Sequence, residues 1–219
     1  MIFINYKTYE EGTGQNALAL TKILEEVATN SQVKIIPVVQ IIDAEMIIGN
    51  TKLSVWIQHV DPVAYGAHTG WVLPQEAARI GVSGVFLNHS EHKFNSFDAL
   101  FTANEKSLAA NLKTLIFAGD LDELKKVCDL APTYVAYEPP ELVGSTTTSV
   151  TEAKPEVISQ AYEIAKSFGV PLVVGAGIHS QEDIRKSLSL GAVGFAVATD
   201  VVKAVDPKKE LLDLVGGFQ

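Results

Sequence analysis

Short apolar runs rich in Val, Ile and Phe recur along the whole chain, and stretches with helical spacing lie between them. The runs fall at residues 1–5, 33–39, 53–58, 84–88, 114–118, 133–138, 171–175 and 192–197. Most lack polar alternation, as expected of parallel strands covered on both faces. Between them, Ala17, Leu20, Ile23, Leu24 and Val27 repeat at helical spacing, as do Val157, Ala161, Ile164 and Ala165. Asp120 and Ser180 stand where helix N-caps belong, the second followed by an acidic first turn containing Glu182 and Asp183. Residues 42–49 and 75–80 are long enough for helices of about two turns each.

Strand then helix, eight times over, predicts an α/β fold, a closed (β/α)8 barrel. Eight units in 219 residues average about 27 residues each, close to the lower limit for such a barrel. The competing architecture is an open, doubly wound sheet of six strands, which requires two of the runs to be something else. The weakest runs are residues 53–58 and 33–39, the latter containing Pro37. No Pro-, Gly- or Ser-rich linker divides the chain, so one domain is expected over residues 1–219.

Composition narrows the function classes. The chain is 47% hydrophobic and 20% charged, ordinary for a folded soluble protein. A net charge of −9 argues against general affinity for nucleic acid or an anionic membrane. It does not forbid an anionic substrate, because such sites are built locally from backbone N–H groups and one or two lysines. The one cysteine, Cys128, has no partner for an internal disulfide and is expected as filler on the helix after the fifth strand. No apolar run reaches the roughly 20 residues that span a bilayer. Met1 leads straight into a strand-like run with no charged-then-apolar leader, so a cytoplasmic protein is expected.

In a (β/α)8 barrel the chemistry sits where strands end and the following loops begin. Five clusters of polar or small residues fall at such positions. The first run ends in Asn5 and Lys7, and the fourth runs through Asn88 into His89, Ser90, Glu91, His92 and Lys93. The sixth ends at Glu138, followed by two prolines and a long segment of small and hydroxyl residues, the pattern of a mobile lid over residues 139–149. The seventh gives Gly175, Ala176 and Gly177, and the eighth gives Ala198, Thr199 and Asp200. Glycines let the backbone approach a ligand, and the loops after strands seven and eight form the usual phosphate site of this fold. Asp200 is an awkward neighbour for a phosphate and is expected to cap the last helix and point away. His89, Glu91 and His92 lack the spacing of a zinc-protease helix, and no metal is expected. His59, His68 and His179 are expected to be structural or exposed, and Trp56 and Trp71 to serve packing or an interface.

With these residues in place, the chain resembles the triosephosphate isomerase family along nearly its whole length. The matching strings are Asn5-Tyr6-Lys7, Gly66-Ala67-His68-Thr69-Gly70, Asn88-His89-Ser90-Glu91, Ala136-Tyr137-Glu138-Pro139-Pro140-Glu141-Leu142-Val143-Gly144 and Gly175-Ala176-Gly177-Ile178. The short helices and the Glu-Pro-Pro-Glu-Leu form are similar to the compact archaeal branch. The resemblance implies a TIM barrel and an isomerase that interconverts dihydroxyacetone phosphate and D-glyceraldehyde 3-phosphate, in glycolysis and gluconeogenesis, without a metal or organic cofactor. It implies Glu138 as base, His89 as electrophile, Lys7 as the cation near the developing charge and Asn5 as its neighbour. Glu91 would orient Lys7 and the His89 loop, with Ser90 beside it in a turn of helix over residues 90–93. Gly144 and Ser145 of the lid would bind substrate, together with Gly175, Ala176, Gly177, Ala198 and Thr199. Thr69 would be the tip of a loop reaching into a neighbouring subunit, in a homo-oligomer for which a tetramer is favoured over a dimer.

Two departures stand out. The lid reads Gly144-Ser145-Thr146 where the family pattern is Gly-Thr-Gly, and Ala198-Thr199-Asp200 replaces a smaller, glycine-containing string. The rival readings are another phosphate-binding barrel isomerase and a catalytically inactive relative kept as a binding module. Neither accounts for Lys7, His89 and Glu138 together.

Overall fold

The computed structural model describes residues 1–138 and 155–219. Eight parallel strands close into a barrel in sequence order. They are β1 (Ile2–Asn5), β2 (Ile35–Val39), β3 (Trp56–Ile57), β4 (Gly84–Leu87), β5 (Lys113–Ala118), β6 (Tyr134–Tyr137), β7 (Leu172–Val174) and β8 (Gly194–Val197). β1 closes the circle by pairing with both β2 and β8, Ile2 standing level with Ile35 on one side and Phe195 on the other. All eight apolar runs are thus strands, and the open six-stranded alternative is excluded.

Around the strands lie α1 (Gly14–Ser31), α2 (Ile41–Ile48), α3 (Pro74–Arg79), α4 (Phe97–Ala109), α5 (Leu121–Cys128), α6 (Pro155–Ser167), α7 (Gln181–Ser189), α8 (Thr199–Val202) and α9 (Pro207–Gly216). Helix α1 buries Ala17, Leu20, Thr21, Leu24 and Val27, the stripe its spacing foretells. Asp120 and Ser180 cap α5 and α7, each side chain accepting from the backbone N–H three residues on. Cys128 ends α5 as a buried free thiol.

Strand residues alternate between two apolar environments, which explains the missing polar alternation. Phe3, Ile36, Val38, Trp56, Phe86, Leu115, Phe117, Ala136, Val173 and Ala196 form one cluster. Their neighbours, Ile2 and Ile4 among them, belong to the larger core shared with the helices. Trp56 is a packing residue, edge-on to Phe3 with ring centroids 5.0 Å apart. A Cβ at Gly84 would collide with its indole, so a glycine must stand there.

The two weakest runs explain each other. Lys34 and Val38 offer their carbonyls to β1, so Pro37 turns its missing N–H toward β3. The paired part of β3 begins only at Trp56, level with Val38, so that ladder position is not needed. β3 is shorter than the run 53–58, and the chain ahead of it bonds elsewhere. Lys52 N–H donates to the Glu25 carboxylate at 2.6 Å, and Leu53 N–H to the Thr51 hydroxyl at 3.1 Å.

Candidate active site

A cavity opens where the strands end. Asn5, Lys7, His89, Glu138, Gly175, Ala176, Gly177, Ala198 and Thr199 all line it, although they come from five different βα connections. Gly144, Ser145 and the expected lid over residues 139–149 lie outside the described residues.

Lys7 sits just past β1 with φ of 48°, a left-handed conformation that costs a residue with a Cβ. Its own amide donates to the Asn5 side chain at 3.0 Å, and its carbonyl accepts from the Gln58 amide at 2.8 Å. These two contacts hold the turn that swings the side chain over the mouth. Its Nζ donates to Glu91 Oε1 at 2.7 Å. Gln58 closes the third apolar run and was not singled out from sequence; its amide at a strand end is the signal that could have found it.

Glu138 follows β6, and its amide continues the ladder to the Ala118 carbonyl at 2.8 Å. Only 4% of the residue is exposed. Its Oε2 accepts from the Ser90 amide at 3.3 Å, while Oε1 lies 3.3 Å from Nε2 of His89. Gly175 leaves room for this side chain, since a Cβ there would come within 3.2 Å of the Glu138 Cβ and 3.3 Å of the Phe117 ring.

His89 presents one nitrogen to each side. The Glu91 amide donates to Nδ1 at 3.2 Å, so Nδ1 is an acceptor and the neutral ring carries its hydrogen on Nε2, toward Glu138. The ring stands edge-on to Phe117, with centroids 4.8 Å apart. The segment after His89 is a turn rather than the expected turn of helix, closed by His92 N–H donating to the His89 carbonyl at 2.8 Å. The turn places the Ser90 and Glu91 amides against Glu138 and His89. The loop is anchored by Asn88, which donates to the Phe117 carbonyl at 3.0 Å and to Glu123 at 2.9 Å. Glu123 also takes the Lys93 ammonium at 2.9 Å, an anchoring role that nothing in its local sequence announces.

His92 stacks on His59 with ring centroids 4.0 Å apart, while Nδ1 of His89 is occupied by an amide. No group of three or more His, Cys, Asp or Glu side chains among the described residues could hold a metal ion. His68 stacks on the exposed Trp71, centroids 5.5 Å apart.

Asp200 does not cap the last helix. Asp206 does, accepting from the Lys209 amide at 3.1 Å, because it immediately precedes Pro207 at the first turn of α9. Asp200 instead lies in α8 and lines the cavity, with Oδ2 2.6 Å from Nδ1 of His179. His179 is therefore part of the cavity wall, beyond the structural or exposed role expected of it. Beside them, the Thr199 hydroxyl bonds the Tyr9 hydroxyl at 3.1 Å, tying the first βα loop to the last.

The family model for triosephosphate isomerase matches residues 1–216. A triosephosphate isomerase of Methanothermus fervidus is 38% identical, over 98% of this chain and 97% of its own. That of Methanocaldococcus jannaschii is 36% identical, over 98% of each. That of Metallosphaera sedula is 38% identical, over 99% of this chain and 95% of its own. The barrel, the residues gathered at its mouth and these full-length matches together establish that the chain belongs to the triosephosphate isomerase family.

Proposed function

We propose that this protein interconverts dihydroxyacetone phosphate and D-glyceraldehyde 3-phosphate by carrying a proton between adjacent carbons through an enediolate. The observation that carries the reading is the convergence of a carboxylate and an imidazole N–H across 3.3 Å in a cavity with a lysine. A carbon acid beside a carbonyl is weak, so its deprotonation needs help from two sides. Glu138 removes the proton from one carbon and returns it to the other. Nε2–H of His89 donates to the carbonyl oxygen as negative charge builds there, and the Lys7 ammonium stabilises the same charge. Nδ1 of His89 is an acceptor, which leaves the proton on the nitrogen that faces the reaction.

The phosphate is gripped by the backbone at Gly175, Ala176, Gly177, Ala198 and Thr199, and by Gly144 and Ser145 of the lid. Binding energy from this remote group is available to orient the reacting carbons. Closure of the lid keeps water from an intermediate that can otherwise expel its phosphate. In this reading the enzyme serves glycolysis and gluconeogenesis in the cytoplasm. Among the described residues, no helix is long and apolar enough to cross a membrane.

Assembly as a homo-oligomer, tetramer before dimer, belongs to the same reading. Tyr65 is 70% exposed and Trp71 54%, aromatic residues of the kind that interfaces cover. Thr69 would enter a neighbour's site between them.

The test is turnover of glyceraldehyde 3-phosphate by the purified protein and by Glu138→Gln prepared identically. Loss of at least about a hundredfold in the variant is expected for removal of a general base. Equal rates would refute the assignment, since activity from a contaminating isomerase would be identical in the two preparations.

A further inference from the structure

His179 follows β7 and Asp200 follows β8, and their side chains meet at 2.6 Å on the wall of the catalytic cavity. The mechanism above uses neither residue. A carboxylate accepts, so Nδ1 of His179 donates to it. Nε2 is buried and has no hydrogen-bond partner among the described residues. It is thus the atom on which a second proton can be placed without breaking the bond to Asp200.

The charges around the cavity give that proton a purpose. Among the described residues lining it, one lysine, Lys7, stands against two carboxylates, Glu138 and Asp200. Lys7 is moreover already paired with Glu91. A phosphate monoester carries roughly −1.5 to −2 charges near neutral pH. With a neutral His179 it would enter a cavity with a surplus of negative charge, where low dielectric strengthens the repulsion. A protonated His179 reduces that surplus by one charge.

We propose that His179 and Asp200 form a proton-linked element that adjusts the charge of the phosphate end of the site. The dianion binds together with a proton on His179, and Asp200 sets how strongly that proton is required. This rests on the cavity being the phosphate site proposed above.

Other charged groups face the pair and must be separated from it. Asp183 of α7 accepts from the His179 amide at 3.1 Å, and Asp213 of α9 accepts from the Gln181 amide at 3.3 Å. Lys203 lies over the Tyr9 ring, 5.3 Å from its centroid, and Tyr9 contacts Thr199. Lys7, Glu138 and the imidazole of His89 share the cavity. All of these persist in variants of the pair and so serve as an internal control.

Inorganic sulfate is a suitable probe, because it remains a dianion where imidazoles titrate, between about pH 5 and 8. Its binding to the full chain is measured by calorimetry across that range, in two buffers of different ionisation enthalpy, so that proton uptake is read directly. The native protein is expected to bind sulfate roughly tenfold more weakly at the upper end of the range and to take up a proton on binding. Asp200→Asn keeps the hydrogen bond and removes the charge; it should bind more tightly at the alkaline end and lose most of the pH dependence. His179→Gln should bind weakly throughout, and adding Asp200→Asn to it should restore affinity. A failure of sulfate to bind, binding without proton uptake, or an unchanged pH profile in Asp200→Asn would each overturn the proposal. None of these measurements needs turnover, so the isomerase reading stands or falls separately on Glu138→Gln.

Discussion

The amide of Glu91 donates to Nδ1 of His89 at 3.2 Å, and this one backbone bond decides which face of the imidazole carries a hydrogen. Nitrogen-15 NMR of the labelled protein should therefore find the hydrogen of the neutral His89 tautomer on Nε2. Substitution of His89 by Gln should lower turnover by about a hundredfold or more. A hydrogen found on Nδ1 would remove His89 as the donor to the substrate oxygen.

Lys7 reaches the cavity from a left-handed turn held by Asn5 and Gln58. It is the cation proposed to meet both phosphate and developing charge. Lys7→Ala should raise the Michaelis constant and lower turnover together, each by at least about tenfold, the scale of one lost charge-assisted hydrogen bond. A Michaelis constant equal to that of the native protein would contradict its place near the phosphate.

Gly175 lies close enough to Glu138 that a single methyl group matters. The added Cβ of Gly175→Ala would meet the Glu138 Cβ at 3.2 Å and the Tyr137 carbonyl at 3.3 Å, and relieving the first contact displaces the Glu138 side chain. Turnover should fall about tenfold or more, as for a base displaced by a fraction of an ångström. Overpacking should also cost about 1–3 kcal/mol, read from a urea melt. Unaltered turnover would show that the base does not depend on the space at this glycine.

Burial holds the His59 imidazole below its ordinary range, and the neighbouring His92 acts in the same direction, against a smaller upward pull from Asp61. Above about pH 6.5, the unfolded value, the ring is neutral in both states and stability does not depend on it. Below that, the unfolded chain takes up the proton first, so stability should fall with pH until the folded-state value is passed. His59→Gln should lose less stability than the native protein over that acid interval, measured by thermal melts at fixed ionic strength. A melting temperature with the same acid slope in both would assign the effect elsewhere.

Much of the fold could be read along the chain. The eight runs, the stripe on α1 and the caps at Asp120 and Ser180 all depend on residues within a few positions of one another. Misreadings occurred where distant groups compete for the same backbone. β3 pairs only from Trp56, while the Lys52 amide ahead of it goes to Glu25, and Pro37 is tolerated because β3 starts late. Asp200 was misplaced for a related reason. As a helix-proximal aspartate it fits a cap, but Asp206 holds that position and His179, brought alongside by the pairing of β7 with β8, takes Asp200.

Sequence alone determined the strand-and-helix order and the barrel, and it pointed to Lys7, His89 and Glu138 at strand ends, because local spacing and strand-end position are linear properties. Barrel closure decided the rest. It sets Lys7 against Glu91, 84 positions away, the Ser90 amide against Glu138, 48 away, and Asn88 against Glu123, 35 away. It also places the Asp200 carboxylate beside His179 on the cavity wall. Hydrogen bonds and charges act over a few ångströms, and only a closed ring of strands brings groups so far apart in sequence within that distance.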